Sequence, residues 1–354
     1  MNSVMSQRIV RLFLPFLVSL FLVGLGLPGG AIAEPQEKLP TQSLTPAVWQ
    51  VALDGSGHFT SIQEAIDQAA SGDTILIKTG TYAEDVTVHS KDRLSIIGEG
   101  MDQVILTGKK RVGTLHIGKW PYGATNVTIQ GLSVVQHGGL GVGIFNGRGV
   151  RLKQIRVNGM VFSQQVQDVQ LEDCVIGDSE TTGVAFADST GMLIGNVIDH
   201  NDHGVAIGGI SEVTLQRNVI TRSLYEAVVM TDQSKARLIQ NTLVQNGGGA
   251  AFHDDAQADV QGNIISQSAV GFLFFPGSHT TLAFNALYGN QGDYVMTGSP
   301  PTSVPERAGT TDVRFAPGFV NPEKGDFRLR ADSSMIQVGT FPFLGALPPV
   351  TPHP

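Results

Sequence analysis

The sequence contains little cysteine and little charge. Cys174 is the only cysteine among 354 residues, so no disulfide bond can form within the chain. Charged residues make up 15% of the sequence, whereas an average globular protein has about 25%. The formal net charge is −8 at pH 7. Because an acidic protein repels nucleic acids and anionic membranes, we expect neither as a partner.

A long apolar run is found at the amino terminus. Arg8 and Arg11 precede the apolar residues 12–27, and small residues follow up to Ala33. This order predicts a secretory signal peptide at 1–33 and hence a periplasmic or secreted protein. The alternative, a retained membrane helix, is disfavoured because the run is short and is interrupted by proline.

The central part of the chain has a regular repeat. Asparagine recurs at intervals of 22, 23, 22 and 22 residues, with Leu or Val three residues before it and Ile or Leu two residues after it. The five positions are Asn196, Asn218, Asn241, Asn263 and Asn285. A fixed period of this size is typical of stacked units that bury their apolar faces against one another.

Each repeat contains three short strand patterns. The first has period 2 and precedes the asparagine, the second follows it, and the third begins at a small residue such as Gly204 or Gly249. Three strands in about 22 residues predict an all-β fold, a single-stranded parallel β-helix over residues 51–296. In register, the asparagines either bind a ligand or form an internal ladder. We favour the ladder, with Cys174 as a buried thiol in the same column.

The segments outside the repeats have other compositions. Residues 34–50 contain three prolines and predict an extended linker. The period ends after Gly289, and residues 297–345 predict an irregular closing segment over the open end of the β-helix. Residues 346–354 are predicted to form a disordered tail.

A short amphipathic helix is predicted at the start of the folded region. Thr60 and Gln63 suggest a capping box, and Gly72 is expected to end the helix. Apolar residues recur at helical spacing at Ile62, Ala65, Ile66 and Ala69. Because a solenoid exposes apolar side chains at its end, we expect this helix to cover them.

Residues 51–100 resemble the amino-terminal coil of pectin methylesterases and of the wider pectin-lyase-like superfamily. The matching residues are Asp54-Gly55-Ser56-Gly57, Phe59, Ile62-Gln63, Ala65-Ile66 and Gly80-x-Tyr82-x-Glu84. The resemblance implies a right-handed parallel β-helix with an N-terminal capping helix. The active-site signatures Q-A-V-A-L, Q-D-T-L, D-F-I-F-G and L-G-R-P-W are absent, so we do not expect a pectin methylesterase.

The central coils show a second resemblance. Their Asn-x-Ile cadence, over about residues 126–290, is similar to the coil repeats of periplasmic copper-site maturation proteins. This resemblance is to a coil consensus, and it implies the fold and not a reaction.

A column of acidic residues follows the third strands. Asp188, Asp232 and Asp254 occupy equivalent positions, and His253 precedes Asp254. Stacked positions are about 4.8 Å apart, so the carboxylates are candidates for an acid/base pair of a glycosidase, lyase or epimerase, with His253 as helper. They are also candidates for a divalent cation site such as calcium. The alternative is that they are solvated turn residues.

A second polar cluster precedes a third strand. His200 and His203 are three residues apart with aspartates around them, and Glu226 falls beside His203 one coil later. Together with Asp255, the two histidines are candidate metal ligands. The alternative is a pH-sensitive surface turn, because a turn need not direct both rings to one side.

The outward positions of the third strands are small and apolar, namely Gly143, Ala185, Ala206, Val229, Ala251 and Leu273. Such a stripe is suited to the apolar face of a sugar, to the carboxy-terminal segment, or to a protein partner or second copy of the chain.

The sequence as a whole leaves two functions open. The first is an exported β-helix protein that binds or processes an extracytoplasmic polysaccharide, and the second is a non-catalytic periplasmic scaffold or assembly factor.

Overall fold

The computed structural model describes residues 45–108, 113–119, 121–298 and 301–351. The predicted signal peptide and most of the predicted linker lie outside the described residues. Residues 46–354 form one compact unit. This unit is a parallel β-helix, as the repeat and the resemblance to the pectin-lyase-like superfamily predicted.

The first strands of the coils form one parallel sheet of eleven strands. Every neighbouring pair is in register, so that Leu193, Leu215 and Leu238 stack directly on one another. The strands are Val48–Val51, Thr74–Ile77, Ser95–Gly98, Thr128–Gln130, Arg148–Lys153, Gln167–Glu172, Thr190–Ile194, Glu212–Gln216, Lys235–Ile239, Gln257–Gln261 and His279–Ala283. Their side chains alternate between the core and the outer face, as period 2 requires.

The second and third strands form the rest of the wall. In the middle coils they are continuous: Ser133–Phe145, Arg156–Gln164, Val175–Ala187 and Val197–Gly208. In the early coils they are Gly80–Tyr82, Val86–Val88, Val104–Thr107 and Leu115–Ile117. In the later coils a turn separates Val219–Thr221 from Glu226–Met230, Thr242–Val244 from Gly248–Phe252, Ile264–Ser266 from Val270–Phe274, and Ala286–Tyr288 from Gly292–Met296.

The core is a continuous column of stacked apolar side chains. Phe252 packs between Phe272 and Phe274, and Phe272 continues to Tyr294. Each of these rings is at most 2% exposed. Burial of one such side chain contributes about 1.5–3 kcal/mol, so the stack is a main source of stability in the last coils.

One helix, Ile62–Gln68, covers the amino-terminal end, and its residues Ile62, Ala65 and Ile66 are buried. The predicted capping box is wrong in detail. Ser61 is the N-cap and accepts a hydrogen bond from Glu64 N, while the Gln63 side chain donates to Asp67 and to the Thr87 carbonyl. The difference is explained by Glu84, in the next coil. Glu84 accepts hydrogen bonds from Ser61 Oγ and from Ile62 and Gln63 N, and these bonds fix the first turn of the helix.

The carboxy-terminal segment first closes the last coil. The short strand Thr302–Ser303 pairs antiparallel with Gly292–Met296, and the 3₁₀ turn Pro305–Arg307 follows. Val304 belongs to the core. The described residues from Pro301 to Val313, which bridges to Ala286, therefore cover the open end.

The remaining residues pack along the outside of the second strands. They contain two antiparallel pairs, Phe319–Asn321 with Asp326–Leu329 and Ile336–Val338 with Phe341–Phe343, and a 3₁₀ turn at Pro322–Lys324. Their apolar side chains bury outward residues of the wall, namely Val219, Val244, Ile264 and Ala286. The predicted disordered tail at 346–354 needs correction for residues 346–351, because Ala346 is buried against this face and Val350 N donates to Leu329 O; the last three residues lie outside the described ranges.

Within the described part of the chain, the model has no helix with the length and apolar character needed to span a membrane.

Candidate functional site on the third-strand face

The asparagine column is an internal ladder. From Asn218 onward, each Oδ1 accepts the backbone N and the Nδ2 of the preceding asparagine, while Asn196 Oδ1 accepts from Cys174 N. Each Nδ2 also donates to a carbonyl of the first-strand sheet. Between Asn218 and Asn241 both ladder bonds are 3.0 Å long, and Asn218 Nδ2 lies 2.9 Å from Leu193 O. All five asparagines are 0% exposed. Their amides are thus fully used inside the protein, and the ladder interpretation is confirmed.

Two further ladders occupy the other corners, and the sequence analysis missed them. One lies between the second and third strands in two parts, from Ser179 to Asn201 and from Ser223 through Asn246 and Ser268 to Asn290. The other follows the third strands through Ser189 and Ser211. Serine and asparagine share these columns, so the only signal in the sequence was a small polar residue at the same period.

The acidic column forms hydrogen bonds to the backbone of neighbouring coils. Asp232 Oδ2 accepts from Gly209 N at 2.9 Å, and Asp254 Oδ2 accepts from Asp232 N at 3.0 Å. Asp188 Oδ1 accepts from Ile210 N at 3.1 Å. All three aspartates have φ between 49° and 61°, a left-handed conformation that aspartate tolerates better than most residues.

These contacts show what the acidic column does in the fold. The structure brings Asp232 and Asp254 into adjacent rungs, and both residues are exposed. Each carboxylate has one oxygen bonded to a turn of the neighbouring coil. The column therefore stabilises the turns after the third strands, and a catalytic role for Asp188, Asp232 and Asp254 stays a prediction.

His203 and Glu226 are stacked at the start of two consecutive third strands. His203 Nδ1 lies 3.2 Å from Glu226 Oε2, and their side chains are only 4% and 9% exposed. The ring nitrogen has no well-aligned hydrogen-bond partner. Burial raises the pKa of Glu226, but the hydrogen bond and charge of His203, together with its own backbone N–H and the charge of His253, lower it below its ordinary value.

The local sequence explains why Glu226 is turned outwards. The next residue, Ala227, is packed in the core, so Glu226 points to the other side of the wall. Gly248 follows Glu226 in the column, and a Cβ there would lie 3.1 Å from Glu226 Cγ. The missing side chain at Gly248 thus leaves room for the Glu226 side chain.

His253 lies at the far end of the third strands, one coil beyond Glu226. It is 7% exposed, and its ring stacks on Phe275 with the centroids 3.5 Å apart. Burial lowers the pKa of His253 to about 4, against the opposing charges of Glu226 and Asp254. The imidazole is therefore neutral at pH 7, and its buried Nε2 has no hydrogen-bond partner.

The three side chains lie diagonally across one face. The outward positions of the third strands are in register along this face at His116, Gly143, Phe162, Ala185, Ala206, Val229, Ala251, Leu273 and Val295. Ala206, Val229 and Ala251, between His203, Glu226 and His253, are at most 3% exposed, and Leu273 is half-buried. At the margins, Ile210 and Leu224 are 72% and 63% exposed. We call His203, Glu226 and His253 the third-strand cluster.

The predicted metal ligands are not brought together. His200 is exposed and contacts Asp199 at 3.3 Å, whereas His203 is buried against Glu226. Asp255 is an exposed residue of a turn at the other end of the third strands. In the part of the chain that the structure describes, no group of three histidine, cysteine or acidic residues is arranged to hold a metal ion.

Two family models match the sequence. The pectinesterase model matches residues 48–154, which include the capping helix and the first coils. Probable pectinesterase/pectinesterase inhibitor 17 from Arabidopsis thaliana is 43% identical over 86 residues, 23% of this chain and 16% of that protein. Pectinesterase 2 from Citrus sinensis is 43% identical over 67 residues, 18% of this chain and 13% of that protein. The chain thus spans less than a fifth of the length of these relatives.

Solved structures with a similar fold have low sequence identity. The A-module of mannuronan C-5 epimerase AlgE4 from Azotobacter vinelandii is 19% identical, with a TM-score of 0.47 over 65% of this chain and 82% of that chain. Pectate lyase Pel9A is 13% identical, with a TM-score of 0.48 over 86% of this chain and 97% of that chain.

The central coils match a different family model. Its description is periplasmic copper-binding protein (NosD), and the match covers residues 124–303, which is more than half of the chain and includes the three ladders and the third-strand cluster. The chain therefore belongs to the NosD family of β-helix proteins.

Proposed function

We propose that this protein binds or processes an extracytoplasmic polysaccharide on the third-strand face, at the cluster of His203, Glu226 and His253. The observation that carries the proposal is the buried, unpartnered Nε2 of His253 on the same face as the buried carboxylate of Glu226. A buried polar atom without a partner costs about 1–3 kcal/mol. Such a cost is typical of sites where a ligand supplies the missing hydrogen bond.

The composition of the face is suited to a sugar. Exposed Ile210 and Leu224, at the two margins, offer apolar contacts to the carbon face of a pyranose ring, and the residues between them, Ala206, Val229 and Ala251, are small and buried. The carboxylate and imidazoles provide a few fixed polar groups within this surface. A mixture of apolar area and few polar groups is the usual composition of a small-molecule site.

The cluster also has groups for proton transfer. Glu226 is ionised at neutral pH and is an acceptor, and the neutral imidazole of His253 provides one donor and one acceptor. In processing, these groups would exchange a proton with a sugar hydroxyl or ring carbon. Asp232 and Asp254, at the exposed margin next to His253, are proposed as further acid/base groups, with Asp188 below them.

The names of the relatives support a carbohydrate ligand but not the esterase reaction. The pectinesterase match ends at residue 154, so it does not reach the third-strand cluster. The esterase signatures are absent from the later coils. We therefore propose polysaccharide binding or processing without de-esterification.

The name of the family also mentions copper, and the described residues do not fit a copper site. Burial raises the pKa of the Cys174 thiol to about 11, so it is a poor thiolate ligand at neutral pH. Within the described ranges, no third histidine, cysteine or acidic residue is placed to hold a metal ion together with His203 and Glu226. No step of the proposed function uses a metal.

We propose a periplasmic or secreted location. The family description contains the word periplasmic, and the apolar run with two arginines at the amino terminus has the composition of an export signal.

Binding of purified protein to a panel of neutral and acidic polysaccharides tests the proposal. We expect binding or turnover with at least one polymer, and a loss of about tenfold or more in affinity for Glu226→Gln. The control is Glu323→Gln, which makes the same change at an exposed residue of the carboxy-terminal segment. Absence of binding and turnover with every polymer would exclude the proposal and favour the scaffold function.

A further inference from the structure

We propose that the section of polysaccharide held at the third-strand cluster is uncharged, so that the ligand is a neutral or fully esterified glycan and not a polyuronate. This inference rests on the proposed function and names its ligand class. Three features of the face carry it: the charge inside the cluster, the charge at its two margins, and the hydrogen bonds that the buried nitrogens lack.

The cluster contains one buried carboxylate, Glu226, and no lysine or arginine. Burial opposes the ionised form of Glu226, but the hydrogen bond and charge of His203 favour it, and the pKa of Glu226 lies below its ordinary value. His253 does not compensate for it, because burial keeps its imidazole neutral at pH 7. A uronate carboxylate at this site would face Glu226 in a low-dielectric environment, where repulsion between like charges is strong.

The margins beside the cluster are also acidic. The residues before the third strands of these coils include Asp178, Glu180 and Asp199, and the turns after them contain Asp188, Asp232, Asp254 and Asp255. The nearby cation Arg222 is paired with Asp199. Its Nε lies 2.7 Å from Asp199 Oδ1, and its Nη2 donates to Asp199 Oδ2. Arg222 is therefore not available to neutralise a uronate.

Cations are also missing along the face itself. Among the described residues, the outward third-strand positions from His116 to Val295 include no lysine or arginine. A site for a chain of carboxylates would need such residues, because arginine and lysine are the usual partners of a carboxylate.

The missing hydrogen bonds are those that hydroxyl groups supply. The neutral His253 ring needs one partner at its buried Nε2, and the buried His203 Nδ1 also lacks a well-aligned one. A sugar hydroxyl both donates and accepts, whereas a carboxylate only accepts. One hydroxyl can thus donate to Glu226, and another can pair with His253, without any further charge in the site.

The inference is tested with polygalacturonate and its fully methyl-esterified form, which share one backbone and differ in charge. A neutral galactan and a β-glucan are measured as well. Affinities are measured by isothermal titration calorimetry in low salt, once with EDTA and once with calcium. We expect an esterified or neutral polymer to bind at least about tenfold more tightly than polygalacturonate. Equal or tighter binding of polygalacturonate, with EDTA or with calcium, would overturn the inference.

The Glu226→Gln variant provides a second measurement. It removes the negative charge and keeps the shape of the side chain, so we expect the ratio of neutral to acidic affinity to fall by about tenfold. Glu323→Gln should leave this ratio unchanged, and a ratio that does not change in Glu226→Gln would count against the inference. If no polymer binds at all, the proposed function itself fails, which is distinct from binding with the opposite charge preference.

Discussion

Asp312 ends the asparagine ladder by accepting the amide of Asn285. Its Oδ1 lies 2.8 Å from Asn285 N and 3.1 Å from Asn285 Nδ2, so it takes the place of a sixth asparagine. Its Oδ2 accepts from Tyr294 OH at 2.9 Å and from Gly309 N at 3.0 Å. One carboxylate therefore joins the ladder, the aromatic stack and the closing segment.

The Asp312→Ala variant should be markedly less stable. It leaves the buried backbone N of Asn285 and the Tyr294 hydroxyl without acceptors, and hydrogen bonds to a charged group contribute about 1.5–3 kcal/mol each. We expect the free energy of unfolding in urea to fall by about 3 kcal/mol. Asp332→Ala, at an exposed residue paired with Arg330, is the control and should change it by less than about 0.5 kcal/mol. Equal effects of the two variants would show that Asp312 does not support the ladder.

Cys174 occupies a ladder position without completing the ladder. Its backbone N donates to Asn196 Oδ1, and its thiol lies 3.4 Å from Leu152 O, the carbonyl that an asparagine amide would reach. The Cys174→Asn variant should add this bond and a second one to Asn196. We expect an increase in the free energy of unfolding of about 1 kcal/mol, measured in urea. Cys174→Ala is the control, and an asparagine variant no more stable than the alanine variant would contradict the prediction.

Stability should fall as the pH is lowered from about 6.5 to about 4. The pKa of His253 is about 4 in the folded protein, whereas an unfolded histidine has about 6.5. Between these values the unfolded state binds more protons, so the free energy of unfolding decreases as the pH falls, by about 3 kcal/mol in total. The pKa of Glu226 is also lowered, and its contribution is lost at still lower pH, as the pH falls through the folded pKa.

Urea denaturation at several pH values, with His253→Gln, checks this pH dependence. Glutamine does not titrate, so the slope between pH 4 and 6.5 should become shallower. His279→Gln changes an exposed histidine and should keep the slope of the unchanged protein. A His253→Gln variant with the original slope would show that another group is responsible.

The extent to which the sequence predicts this structure depends on whether a feature repeats. The asparagine ladder and the three strands of each coil recur every 22 or 23 residues, so their stacking follows from the period alone. The period also placed Glu226 beside His203. It did not reveal that both are buried, because burial depends on the direction of Glu226 relative to Ala227 in the core.

Features that do not repeat were harder to predict. The segment after Val313 has no period, and its position depends on contacts with distant residues such as Val219 and Val244. The sequence left two interpretations of the acidic column open, an acid/base pair and turn residues, because spacing alone does not distinguish carboxylates that face a ligand from carboxylates that bind a turn. The backbone hydrogen bond from Asp232 N to Asp254 is visible only in three dimensions.

Substitutions of Asp254 test its contribution to the turn. Asparagine keeps an oxygen that can accept from Asp232 N and tolerates the φ of 51°. We therefore expect Asp254→Asn to change the free energy of unfolding by less than about 0.5 kcal/mol. Alanine loses the acceptor and fits a positive φ less well, so Asp254→Ala should cost about 1–2 kcal/mol. Thermal and urea unfolding of both variants measure the difference. If asparagine destabilises as much as alanine, the negative charge and not the turn hydrogen bond is what the fold requires at this position.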